Sequence, residues 1–486
     1  MTPTRRAPGW LLVVVAVALS ACTAASPSPI PNLAAGSQPS VRQFSAWLDA
    51  FNSGDRLRYA TFLDDNFPSR ARFLDDEMAF REDTGGFDLR KVEAVSATKA
   101  SGLVQERSSD QFAHFELIVT GAAPYAIVSL DLRAIPRPAE FPIARLSEAG
   151  AIDGVDALAR QRAAEDQFSG TILVANNSEV IFEQAYGFAD RQREIPNRLQ
   201  TRFRIGSMNK MFTAVAVLQL VEAGRIDLTA PVGRYLVDYP NREIATKVTI
   251  HQLLTHTGGT GDIFGAAFDS HREELRTLGD YVELFGDRGP EFEPGSRWEY
   301  SNYGFILLGA VIEAVTGESY YDYVQEHVYD PAGMTSTGSQ PEDIGVPDRS
   351  IGSLKQPGAT GWAPNTNTLP YRGTSAGGGY STVGDFARFA DALMRNVLLS
   401  PDFTELLITA KTDVDPGASY AYGFADNRGA DGTGFVGHGG GAPGMNGDLR
   451  IYPKSGYVVV VLANQDPPAA QHFADYLDHR LPLEGS

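Results

Sequence analysis

The spacing of apolar positions changes several times along the chain, and each change marks a different kind of segment. An unbroken apolar run, Trp10 to Leu19, follows a short basic start and ends at Ser20-Ala21. Residues 23–40 are rich in Ser, Pro and Ala and show no apolar period, which predicts a flexible linker. Phe44, Trp47, Leu48 and Phe51 then recur at i, i+3, i+4 and i+7, one face of a helix closed by Asn52-Ser53-Gly54. A second helix is expected from Asp55 to about Phe67. Alternating runs, Phe115-Leu117-Val119 and Val128-Leu130-Leu132, flank Gly121–Pro124 and read as a hairpin. Helices followed by strands predict a small α+β domain over 41–145. Beyond it, a helical joint over 149–167 leads into β-rich runs at 168–175 and 180–186. Near the carboxyl end, 448–452 and 457–462 bracket the turn Pro453–Gly456. Two strands from each end, with helices between, predict one antiparallel sheet in a single large domain, 150–482.

Composition narrows what such a molecule can do. At 486 residues, 43% hydrophobic and 21% charged, the chain is ordinary for a folded protein, which excludes wholesale disorder. A formal net charge of -19 argues against nucleic acid as a partner, because phosphate binding needs a basic surface. The single cysteine can form no internal disulfide and no multi-thiolate metal site. His251 and His256 are five apart, not the i, i+4 of a helical zinc motif, and no Glu follows His251. No metal and no organic cofactor is expected.

That cysteine, Cys22, ends the stretch Leu19-Ser20-Ala21-Cys22. Residues 1–22 describe an export signal, and their apolar core is too short for a ~30 Å hydrocarbon layer. The ending resembles the bacterial lipobox, in which the cysteine becomes the lipidated first residue of the mature protein. This implies anchoring at Cys22 to the outer face of the bacterial cell membrane. An ordinary signal peptide with an incidental cysteine is the alternative.

Three short elements carry candidate chemistry. Ser207-Met208-Asn209-Lys210 opens an apolar helix, 211–223, closed by Gly224. Residues i and i+3 share a helix face, so the Ser207 hydroxyl and the Lys210 amine can meet. A serine needs a base beside it to act as a nucleophile, and burial can lower a lysine far enough to serve. Seven lysines against 34 arginines make a lysine at this place informative. Tyr300-Ser301-Asn302 precedes another apolar run. A phenol near an ammonium loses its proton more easily and can relay it, while the Asn302 amide can bind a substrate carbonyl. Gly437-His438-Gly439-Gly440-Gly441 allows the backbone to approach a ligand closely. The N–H of Gly441, with that of Ser207, can form an oxyanion hole.

In the order Ser-x-x-Lys, Tyr-x-Asn, His-x-Gly, these elements resemble the penicillin-recognising serine hydrolases, in particular their class C β-lactamase-related branch of esterases and D-amino-acid peptidases. Leu253–Gly259, Pro294–Tyr303 and Gly377–Thr382 add to the resemblance, which covers about 155–480. It implies an α/β sandwich with an antiparallel sheet and an all-helical insertion. It also implies Ser207 as acylated nucleophile, Lys210 as its base or base partner, Tyr300 as proton relay, and Asn302, His438 and Gly440 as substrate-binding residues. The small domain's element order resembles cone-shaped domains of the cystatin or nuclear-transport-factor type. Where most β-lactamases and penicillin-binding proteins carry Lys-Thr/Ser-Gly, this chain has His438-Gly439-Gly440. A histidine is mostly neutral at pH 7, so the fixed charge that attracts a β-lactam carboxylate is lost. The expectation is a hydrolase of a small ester, peptide or cell-wall-derived substrate working through an acyl-enzyme. A β-lactamase, or a sensor lipoprotein that binds β-lactam or peptidoglycan without turnover, is the alternative.

Overall fold

The computed structural model describes residues 38–355, 361–415, 418–429 and 432–483. The expected export signal, Cys22 and nearly all of the linker lie outside the described residues. Among those described, no helix is long and apolar enough to cross a membrane. Residues 38–74 and 80–136 form one compact unit, and 75–79 with 137–483 form the other.

In the first unit, helix α1 (Pro39–Asn52) begins two residues before the expected boundary and buries Phe44, Trp47 and Phe51 of the predicted face. Helix α2 (Arg56–Asn66) starts where Asp55 accepts the Leu57 and Arg58 N–H groups at 2.9 and 3.0 Å, satisfying donors that the first turn leaves open. After α3 (Leu74–Thr84) come β1 (Phe87–Val95), β2 (Lys99–Glu106), β3 (Phe112–Val119) and β4 (Ile127–Ile135), an antiparallel sheet in chain order. Phe44 stacks on Phe115 with ring centroids 3.7 Å apart, and the Trp47 indole donates to the Tyr59 hydroxyl at 3.1 Å. The expected hairpin is β3–β4, with Leu130 buried and Leu132 half-buried, but Val128 departs from the alternation. A bulge pairs Val119 with Ile127 but Ile118 with Ser129, leaving Val128 unpaired and exposed.

In the second unit, α4 (Glu148–Ala164) precedes β5 (Gly170–Asn176) and β6 (Glu179–Tyr186). The helical part follows, with α5 (Asn209–Glu222), α6 (Asn302–Thr316) and α7 (Val383–Met394) as its main members. Then come β7 (Thr412–Asp415), β8 (Ala418–Tyr420), β9 (Ala425–Asp426), β10 (Val436–Ala442), β11 (Met445–Ile451), β12 (Tyr457–Ala463) and α8 (Ala469–Arg480). Eight strands form one antiparallel sheet in the order β7-β8-β9-β10-β11-β12-β5-β6. Both ends of the region supply strands to this one antiparallel sheet, as expected, and they meet inside it where β12 pairs with β5. The far edge, however, is β7, and β11 and β12 lie inside the sheet. The glycine run of β10 and the two-residue β9 offer no apolar alternation to read.

Both faces of the sheet are covered, so β12 reads as a continuous apolar run. Leu173, Leu449, Val460 and Leu462 join the core of α5, α6 and α7. Their alternates Ile172, Val174, Val459 and Val461 pack with Ala151, Val155 and Ala159 of α4 and Phe473 and Leu477 of α8. Helix α5 is the central member of the helical layer, with every residue from Asn209 to Leu218 buried. A polar residue on it must therefore find its partners inside the protein.

Candidate active site

Ser207 lies in a single 3-10 turn, Gly206–Met208, placed just ahead of α5 rather than in its first turn. Gly206 has φ +50°, and a Cβ there would stand 2.8 Å from the Gly441 nitrogen. A Cβ at Gly440 would stand 2.0 Å from the Ile205 carbonyl oxygen. The third motif therefore rests directly against the Ser207 turn, backbone on backbone, which only glycine permits at these positions. Ser207 is partly exposed and Gly441 is open to solvent.

Lys210, the second residue of α5 and one turn beyond Ser207, is buried completely. Its Nζ lies 3.2 Å from Ser207 Oγ and donates to Asn302 Oδ1 at 2.7 Å and to the Ala376 carbonyl at 2.6 Å. None of these three partners is charged. Burial pushes the amine down to about 7, and the Asp262 carboxylate raises it in part. A neutral amine has two N–H groups and one lone pair. Two pure acceptors take the N–H groups, so the lone pair is left for the Ser207 hydroxyl.

Asn302 stands at the start of α6, behind the cap Ser301, whose hydroxyl accepts the Gly304 N–H at 2.9 Å. Its amide N–H groups donate to Asp262 at 3.1 Å, which fixes its oxygen toward Lys210. In this state Asn302 is thus a ligand of the lysine. Tyr300, just before the cap, puts its ring 4.7 Å from Lys210 Nζ. Burial raises the phenol above its ordinary value, more than the nearby Ser207 side chain lowers it. The easier ionisation expected beside a cation is not what this site produces, because burial of the phenol itself dominates.

His438, on β10, is engaged at both ring nitrogens, by the Gly439 carbonyl at Nδ1 and the Tyr420 hydroxyl at Nε2, 3.0 Å away. Burial and the nearby Lys210 push it down to about 4. His256 is fully buried, in the left-handed backbone region at φ +59°. Its Nδ1 accepts the Ser301 N–H at 3.1 Å, its Nε2 lies 3.1 Å from the same Tyr420 hydroxyl, and its ring stands 4.3 Å from that of Tyr300. His251 bonds separately, to the Tyr422 hydroxyl at 2.8 Å.

Over residues 155–482 the sequence matches the family described as Beta-lactamase. The chain belongs to that family. Within it, the chain is similar to a solved penicillin-binding protein from Bacillus halodurans, 35% identical, with a TM-score of 0.59 over 65% of this chain and 96% of that one. It is 36% identical to the esterase EstB of Burkholderia gladioli over 40% of this chain and 53% of EstB. A D-stereospecific amidohydrolase from Streptomyces sp. is 26% identical, with a TM-score of 0.57 over 67% of this chain and 98% of that one. The beta-lactamase family is one of serine hydrolases, and this member brings Ser207, Lys210, Tyr300, Asn302, His438, Gly440 and Gly441 to one place. Sequence reasoning missed Asp262, the Ala376 carbonyl and Tyr420, and weighed His256 only against a metal motif. The acid closing the Gly-rich Gly258–Asp262 segment and the alternate tyrosines of Tyr420-Ala421-Tyr422 were the available signals.

Proposed function

We propose that the protein hydrolyses a small ester or amide through a covalent acyl-enzyme on Ser207. The observation that carries this is the Lys210 amine, with both donors spent on neutral acceptors and Ser207 Oγ at 3.2 Å. Neutral Lys210 takes the hydroxyl proton as Ser207 attacks the carbonyl carbon. The tetrahedral oxyanion sits between the N–H groups of Ser207 and Gly441. Removing one such donor typically costs about 3–4 kcal/mol of transition-state stabilisation. Tyr300, a protonated phenol beside Lys210, passes its proton to the leaving group and recovers one from Lys210. Water then enters, gives its proton back along the same route and releases the acid.

A neutral His438 favours ester or amide turnover over hydrolysis of β-lactams, whose carboxylate finds no cation there. EstB and the Streptomyces amidohydrolase support both substrate classes. The Leu19–Cys22 stretch supports export and lipid anchoring, which replacing Cys22 with Ser tests by release from the membrane fraction. The reaction is tested with Ser207→Ala on a chromogenic short-chain ester. The expected rate is that of the buffer, and turnover at the parent rate contradicts the proposal.

A further inference from the structure

A line of hydrogen bonds behind the nucleophile joins the second and third motifs, and its direction is fixed by its ends. The backbone N–H of Ser301 can only donate, so His256 Nδ1 is an acceptor and the His256 proton resides on Nε2. That Nε2–H donates to the Tyr420 oxygen at 3.1 Å. Tyr420, 4% exposed, has one proton of its own, and its remaining neighbour is His438 Nε2 at 3.0 Å. The Gly439 carbonyl can only accept, so His438 carries its proton on Nδ1. Every donor in the line meets an acceptor.

The same order leaves no room for an added proton. A second proton on His438 would face a Tyr420 oxygen already receiving one from His256, and would orphan the tyrosine's own. A second proton on His256 would face the Ser301 N–H. The other titratable groups around the line oppose a positive charge or leave it unanswered. Lys210 from α5 and the Tyr300 phenol ahead of α6 face His438, and the Asp262 carboxylate is engaged by the Asn302 amide. On β11, Leu449 pairs with His438, while its neighbours Asp448 and Arg450 bond to each other, and Arg450 also to Asp475 of α8.

We propose that Tyr420 is a specificity-determining residue. By holding His438 as a neutral imidazole with both nitrogens engaged, it makes that wall of the cleft select substrates with no carboxylate beside the scissile bond. Tyr420 acts through His438, so it is a positioning residue. The inference rests on the acyl-transfer reading of the site and names the substrate class that site takes.

The test compares kcat/KM for p-nitrophenyl butyrate and for mono-p-nitrophenyl glutarate, which carries a carboxylate, from pH 7.5 to 5.5. The anionic-to-neutral ratio is the readout, because any general loss of activity cancels in it. In the parent the ratio stays flat. In Tyr420→Phe, His438 loses the bond that occupies Nε2. Burial and Lys210 still hold His438 down in the variant, so its protonation begins only at the acid end of the range and the ratio rises by about twofold or more toward pH 5.5. A ratio as flat in Tyr420→Phe as in the parent overturns the proposal. Nitrogen-15 NMR of histidine-labelled parent protein at pH 6, assigned with single His→Gln variants, gives a second measure that needs no active variant. Protons on His256 Nε2 and His438 Nδ1 support the proposal, and the reverse tautomers or an imidazolium overturn it. If Ser207→Ala remains active, the acyl-enzyme reading fails while the tautomers stand. If Ser207→Ala is inactive and the ratio is flat, only the Tyr420 inference fails.

Discussion

Two buried cations on opposite faces of the same sheet meet the cost of desolvation in different ways. Arg450 of β11, 5% exposed, lies against Asp448 at 3.2 Å and Asp475 at 2.5 Å. Burial alone would depress the guanidinium, but the two carboxylates outweigh it and push its value up. Lys210 has only carbonyl and hydroxyl oxygens around its nitrogen, and falls to about 7. A buried cation with counter-ions stays charged and holds structure together. One given neutral acceptors is free to lose its proton, and becomes a base. The difference resides in the partners more than in the lysine and arginine themselves.

Exchanging each cation for methionine separates the two roles. Lys210→Met should lower kcat on a chromogenic ester by about a thousandfold, the middle of the range for a general base, and leave stability within about 1 kcal/mol of the parent. Arg450→Met leaves Asp448 buried without its partner and should cost about 3–5 kcal/mol in urea unfolding. Its kcat per folded molecule should stay within about twofold, since no Arg450 atom takes part in the proposed reaction. Loss of activity in both, or of stability in both, breaks the comparison.

Acidity sharpens it further. Lys210 acts when neutral, so kcat/KM should fall about tenfold per pH unit below about 7 and be flat above, read from a pH–rate profile. The Asp262 carboxylate raises the lysine, so Asp262→Asn lowers it and the acid limb should move to lower pH by less than about one unit. A shift to higher pH contradicts that assignment.

Much of this site could be read before its geometry was known, because helical spacing alone brings Ser207 to Lys210 and an apolar helix alone implies burial. The strands at the two ends of the second unit were equally readable, since 170–176 and 457–463 carry long apolar runs. What escaped reading depends on contacts between distant segments. Asp262 reaches Asn302 across 40 residues, and Tyr420 reaches His256 across 164. Neither has a local pattern that names its partner. The electrostatics of Tyr300 also reversed for a non-local reason. A lysine beside it was expected to ease its ionisation, and burial of Tyr300 itself outweighs that help.

Rapid-quench intact mass of the parent protein mixed with p-nitrophenyl butyrate, from pH 5 to 9, tests the central claim most directly. An acyl adduct mapping to Ser207, with a formation rate that climbs to a plateau above about 7, is the predicted result. Ester turnover with no adduct on Ser207, or an acylation rate indifferent to pH across that range, would contradict it.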